Sequence, residues 1–370
     1  MKNNKNSQRL LLVLAMVVLL VIILFIVTIG SYRADTIKVG VVLTGNIEDD
    51  GWNGQHYQGI KDACDKLEAE LLIKENVEEG TGRCEEAIRE LVKEDVSMII
   101  LTSYAYPMEV EAVIKEYPQV VFYAISAEYL AENMTSYFGR MYQARYLAGI
   151  VAGKQTQENS IGYVAAMPNI EVNRGINAFT LGVKSVNPEA VVHVLWTESW
   201  DDGEREAEAV NTLIEQRSVD VITYHQNQHY VAETADEAGI YSIGYNATAD
   251  GLSDKYLTAA VWDWNALYYE IVREFLQGKG NSVRSHWFGM DTGVVKLSEY
   301  SPLVSEETKQ LVEAAKQEII VGRDVFSHVI YDNQGQLRCN KDEAISDEIL
   351  LEKMDWYVDG VMIYEEKDKY

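Results

Sequence analysis

A chain of 370 residues, 47% hydrophobic and 24% charged, is too long for one simple core and too apolar to remain disordered. Its formal net charge is −26; four cations and one acid lie up to Asp35, leaving 28 Lys+Arg against 57 Asp+Glu beyond it. A field of that sign repels phosphate backbones and argues against nucleic acid as a partner.

The first feature in chain order is an unbroken apolar run, Leu10 to Val27, preceded by Lys2, Lys5 and Arg9. About 20 helical residues cross a hydrocarbon core. The flanking cations predict a cytoplasmic N-terminus, so residues 1–35 read as a single-pass membrane anchor with the rest of the chain outside the cell or in the periplasm. The competing reading, a cleaved signal sequence, calls for a shorter apolar region of about 7–15 residues and a small-residue cleavage site. Ser31-Tyr32-Arg33-Ala34-Asp35 matches such a site poorly, and no Cys follows the run to accept a lipid, the first being Cys64. Three cysteines in an oxidising compartment allow one disulfide. Cys64 and Cys84, near successive helices, are the candidates, and Cys339 is left unpaired.

Strands and helices then alternate. IKVGVVLTG from Ile37 reads as a strand, Asn53–Leu67 as a helix, and a short strand lies near Leu71. Helix Arg83–Lys93, a strand ending at Ser103, helix Met108–Tyr117 and a strand ending at Ser126 follow, then helix Tyr142–Gly153. At Ile161 the rhythm restarts: IGYVAAM, helix Asn173–Val186, VVHVLWT, helix Glu204–Gln216, VDVITYH, helix Tyr230–Ala238, IYSIGYN and LTAAVW. This is the signature of α/β architecture with parallel sheets. Its restart predicts two Rossmann-like lobes within residues 36–370, the first over about 36–157 and the second over about 158–262. The weaker segment from Trp287 to Tyr364 is expected to pack back across both. No Ser/Gly-rich linker separates the halves, so several chain crossings are expected.

Ligands in open parallel sheets sit beyond the carboxyl ends of strands. The first such loop, GNIEDDGWNGQHYQG, carries Asp49, Asp50 and Trp52, and TESWDDG carries Trp200. Acids there suit capping of a helix N-terminus, whereas two tryptophans on facing lobes suit stacking on a planar ring. HQNQH, His225 to His229, has the spacing of a helical zinc pair but lacks a Glu base and an evident third ligand, so no metal or other cofactor is expected. No nucleophile elbow, phosphate loop or dinucleotide fingerprint is present. Nothing in the chain demands catalysis, and an enzyme acting on nucleosides is the least supported reading.

These residues bring a resemblance with them. DDGWNGQHYQG, FGRMYQARYLAGIVAGK, IGYVAAMPNIEVNRGINAFTLGVKSVNPEA, VITYHQN and MDWYVDGV resemble the basic membrane protein family of ABC-importer binding proteins, in its purine base and nucleoside branch. The resemblance runs from about Ile37 to Val361. It implies a type I periplasmic-binding-protein fold, closure of two lobes on a ligand, and an ABC permease as partner. It places the family's first-loop acid on Asp49, its first-loop aromatic on Trp52 and its second-lobe stacking aromatic on Trp200. Three family positions differ: an Asp of nucleoside-binding relatives is Ser126, a Lys is Trp262, and an acid is Asn246. Loss of an acid and a cation with gain of an indole suits a bare purine base better than a nucleoside. His225, Asn227 and Asn246 are the expected edge contacts, and Ser103, Tyr104 and Tyr245 line the same strand ends. A membrane-anchored sensor using the same domain is the alternative to an importer component.

Overall fold

The computed structural model describes residues 37–49, 51–126, 131–280 and 285–364, together with Met16, Val18 and Leu20. The anchor expected over Leu10–Val27 otherwise lies outside the described residues. Among the described residues no helix is long and apolar enough to cross a membrane.

The first sheet holds β1 (Lys38–Val42), β2 (Glu70–Lys74), β3 (Met98–Leu101), β4 (Val121–Ile125), β5 (Met134–Gly139) and β11 (Ser285–Phe288) in the order β11-β5-β4-β3-β1-β2, all parallel. Runs such as MIIL and VFYAI are apolar on both faces because helices cover both. Alternate residues accordingly enter different cores: Val41, Ile100 and Tyr123 one, Val42, Ile99 and Phe122 the other. The helices are α1 (Trp52–Lys66), α2 (Arg83–Lys93), α3 (Tyr106–Glu109) and α4 (Glu111–Glu116).

The second sheet repeats the winding. It joins β6 (Ser160–Ala165), β7 (Val191–Trp196), β8 (Val221–His225), β9 (Tyr241–Asn246), β10 (Tyr256–Trp262), β12 (Val295–Leu297) and β15 (Val361–Ile363) as β12-β10-β9-β8-β6-β7-β15. Only β12 runs antiparallel, against β10. The cores β2-β1-β3-β4-β5 and β7-β6-β8-β9-β10 thus share one strand order, each reversing beside its first strand, where a crevice forms. Helices α5 (Met141–Gln155), α6 (Ile170–Val186), α7 (Gly203–Arg217) and α8 (Tyr230–Ala238) belong to this lobe, whereas α9 (Trp264–Leu276) returns to pack on α1. A small antiparallel pair, β13 (Ile330–Tyr331) and β14 (Leu337–Cys339), lies between α10 (Glu306–Ile320) and α11 (Asp347–Glu352).

Among the described residues the chain passes between the lobes three times: at Gly139–Met141, at Trp262–Trp264 and between Phe288 and Val295. The first passage falls earlier than the boundary near residue 157 read from the sequence rhythm. The reason is that α5 packs on α6: a Cβ on Gly149 would sit 2.0 Å from the Phe179 carbonyl oxygen, and one on Gly182 2.0 Å from that of Tyr146. Backbone meets backbone there, and only glycine permits it. The segment after Trp287 also divides unevenly: β11 completes the first sheet, while β12 and β15 join the second.

The disulfide considered between Cys64 and Cys84 is not formed; all three cysteines are free and buried. Cys64 on α1 and Cys84 on α2 lie in the two separate cores, on opposite sides of the first sheet. Burial holds the Cys64 thiol protonated, its pKa pushed up to about 12.

Candidate functional site

The carboxyl ends of both sheets face each other, and the side chains there fall into two unlike groups. On the first lobe, Asp49 braces its own loop. One carboxylate oxygen accepts from Gly51 N (3.1 Å) and Gly54 N (2.7 Å), and the other from Asn53 Nδ2 (2.8 Å). Asn53 in turn accepts from Gly45 N and the Thr44 hydroxyl, both at 3.0 Å. The acid therefore satisfies one orphan N–H of α1, that of Gly54, together with the Gly51 N–H just before the helix, much as a capping residue does.

Trp52 opens α1, and its indole N–H donates to the Thr102 carbonyl at 2.9 Å. Its ring meets His56 (4.2 Å) and Trp264 (5.5 Å) edge-on. His56 is fully buried, hydrogen-bonded to the Tyr268 hydroxyl, and held neutral by burial with a pKa of about 3. Ser103 is buried beside Thr102, Tyr104 is 55% exposed, and Ser126 follows β4 directly with φ +46°.

The second lobe carries the more open chemistry. Trp200 is 36% exposed; its carbonyl accepts from Asn227 N at 2.9 Å and its ring lies edge-on to His225 at 5.9 Å. His225, at the end of β8, tilts against Tyr245 at 4.2 Å, with Glu171 4.0 Å from its Nε2. Burial, then the charges of Arg145 and Arg174, hold the imidazole well below its ordinary pKa. Asn246 ends β9 in a left-handed conformation (φ +71°), which Asn tolerates better than most residues. Trp262 stacks on Trp264 at 4.7 Å. His225 Nε2, Gln226 Oε1 and Asn246 Oδ1 are buried and have no hydrogen-bond partner.

The lobes touch at the rim: a Cβ on Gly51 would lie 3.7 Å from Gln228 Nε2 and 3.9 Å from the Asn227 carbonyl oxygen. A small cavity of about 10 Å³ lies behind, lined by Tyr142, Arg145, Glu171, Arg174 and His225 and closed by Met141 and Gly175. That volume suits about one water, whereas pockets for small organic ligands measure about 300–1,000 Å³.

The structure thus gathers Trp52 with Trp262 through Trp264, and Trp200 with His225, Asn227 and Tyr245. Among the described residues no group of three His, Cys, Asp or Glu is placed to hold a metal. His225 and His229 serve different partners, His229 Nδ1 lying 2.8 Å from the Tyr224 hydroxyl. Sequence reasoning missed His56, Arg145, Glu171, Arg174, Gln226 and Trp264. Two of them had a visible signal: Arg145 is a lone cation in the apolar stretch ARYLAGIVAG, and His56 an imidazole inside an N-terminal helical turn.

Comparison with known proteins agrees with this architecture. A family described as ABC transporter substrate-binding protein, PnrA-like, matches residues 36–325. A Haloferax volcanii protein provisionally named an ABC transporter glucose-binding protein is 34% identical, over 90% of this chain and 82% of its own. A purine-binding protein of Brucella abortus is 32% identical, over 90% of this chain and 94% of its own. Among solved structures, a transcriptional activator of the comK gene from Bacillus halodurans superposes with TM-score 0.69 at 24% identity, covering 78% of this chain and 99% of that one. An ABC transporter solute-binding protein from Conexibacter woesei gives 0.64 at 18% identity, covering 78% and 98%. At those identities the two structures speak to the fold alone, which they share: α/β with parallel sheets in two lobes. Family match and relatives together establish that this chain belongs to the PnrA-like ABC transporter substrate-binding proteins.

Proposed function

We propose that the protein is the extracytoplasmic binding component of an ABC importer, anchored through Leu10–Val27, and that it captures a purine base between its lobes for a permease. The observation that carries the ligand class is the trio of unpartnered buried atoms, His225 Nε2, Gln226 Oε1 and Asn246 Oδ1, set among aromatic rings at the ends of β8 and β9. Buried polar atoms normally find partners, and a heteroaromatic edge offers donors and acceptors in one plane. Trp200 and Trp52 supply faces for stacking, and Asn227, Tyr245 and Trp262 complete the walls. Ser103, Tyr104 and Ser126 stand on the first-lobe rim. Asp49 acts through the loop it braces.

The Brucella relative supports a purine, and Ser126, Asn246 and Trp262 leave no acid or lysine at three positions where nucleoside binders carry them. Because the Haloferax relative is named for glucose, the decisive comparison includes a sugar. The full-length protein in detergent is titrated with adenine, hypoxanthine, guanine, their nucleosides and glucose, following tryptophan fluorescence and melting temperature. Quenching and a raised melting temperature with a base, weaker with its nucleoside and absent with glucose, is the expected result. A response to glucose alone removes the purine reading and leaves the binding-protein family intact. Ligand contacts both lobes only when they close, so capture shifts an open–closed equilibrium about the three crossings.

A further inference from the structure

We propose that Arg145 is a positioning residue for ligand capture, clamping the ends of β8 and β9 so that the His225–Tyr245 ring pair meets the ligand edge in a fixed orientation. The inference rests on the purine-capture reading above. Arg145 is fully buried on α5, yet most of what it touches lies on the strands that end at the site. Its guanidinium donates to the Tyr224 carbonyl (2.8 Å) and the Thr223 hydroxyl (3.4 Å), immediately before His225. Thr223 passes the tie onward by donating to the Ile243 carbonyl of β9 at 2.9 Å. The guanidinium plane also lies over the Tyr245 ring, 4.0 Å from its centroid, and 5.4 Å from that of Tyr163 on β6. One planar cation therefore fixes three adjacent strands and the ring that His225 leans on, work suited to arginine rather than lysine.

The same placement governs charge. The groups facing His225 are Arg145 from α5, Glu171 and Arg174 from α6, Tyr163 from β6 and Tyr245 from β9. Gly175 lets α6 approach so closely that a Cβ there would lie 3.3 Å from His225 Nδ1. Burial first, and then two cations against one carboxylate, keep the imidazole neutral, so its unpartnered Nε2 presents one unchanging face to the cavity.

The test pairs a ligand-free measurement with a binding one. In the full-length protein, NMR of ring-labelled histidine, assigned with His225→Gln, should show His225 silent between about pH 5 and 8. In Arg145→Gln the His225 ring signals should shift as the Tyr245 ring loses the guanidinium stacked on it, and hypoxanthine affinity should fall about tenfold at neutral pH. Arg145→Lys keeps the cation and loses the planar stack; it should bind about tenfold more weakly with the flat pH profile of the parent. Should Arg145→Gln fail to fold, the lysine variant alone decides: unchanged hypoxanthine affinity overturns the proposal. Unchanged His225 ring signals and unchanged hypoxanthine affinity in a folded Arg145→Gln protein overturn it too. If the parent binds no purine while His225 behaves as described, the capture reading fails and the clamp stands.

Discussion

The two walls of the cleft are built from similar strand ends, but they dispose of their polar groups in opposite ways. On the first lobe the bonds of the loop close on themselves: Asp49 and Asn53 are consumed by the loop they brace, and the Trp52 indole N–H is spent on Thr102. The atoms without partners there, His56 Nε2 and Trp264 Nε1, lie in the packing beneath Trp52. On the second lobe, bonds stop short at His225, Gln226 and Asn246. The first wall is thus a preformed surface, whose side chains hold shape. The second is a reader, whose side chains keep bonding capacity in reserve for an incoming partner, at a cost to the unliganded fold.

The sharpest way to break this contrast is to remove one tryptophan from each wall. Trp52→Ala should cost about 3 kcal/mol of stability by urea denaturation, since it strips a packed ring with a satisfied N–H. Trp200→Ala should leave the urea midpoint nearly unmoved and weaken purine binding about 30-fold by fluorescence titration. If both variants lose stability alike, the distinction between walls falls.

A smaller effect is expected from His56, beneath the first wall. Its folded pKa of about 3 lies below the unfolded value near 6.5. Its contribution is therefore present above pH 6.5 and is lost as pH falls toward the folded value. Between about pH 7.5 and pH 5 it should remove about 2 kcal/mol, read as the widening difference in urea midpoint from His56→Gln. Asn246→Gly keeps the left-handed backbone and removes the amide; about tenfold weaker binding at unchanged stability is expected. Last, Asp49→Ala should cost about 1 kcal/mol through the lost cap, with ligand affinity shifting less than in the Asn246 variant by the same titration.

Much of the fold was legible because it is written in local patterns. Apolar runs ending at Ser103, Ser126 and His225 mark strands whatever surrounds them, and the restart at Ile161 announced a second winding. What escaped depended on contacts distant in sequence. The helix Tyr142–Gly153 was readable as a helix, but its lobe is set by Gly149 meeting Phe179 across another helix. Cys64 and Cys84 are close in sequence, and only the sheet between them keeps them apart. At the site, the aromatic loops and His225 stood out by residue type. Arg145 carried a signal as a lone cation in an apolar stretch, but its role did not show, since its partners are a carbonyl, a hydroxyl and a ring on strands distant in sequence. Nor does any local pattern tell that Asn246 Oδ1 lacks a partner while Asn53 Oδ1 has two.

Neither sheet is made from one continuous stretch of chain: the first requires Ser285–Phe288, and the second ends with Val361–Ile363. α6 reaches the same late segment, Asn173 donating to the Met354 carbonyl and Asn177 to that of Trp356. A chain delivered amino end first therefore cannot complete the first sheet until Phe288 has emerged, nor the second until nearly all of the chain has. Its contacts span long sequence separations, which slows folding and leaves strand edges open to association meanwhile. Truncation only a few turns from the carboxyl end would strip β15 from β7 and leave that edge permanently unpaired.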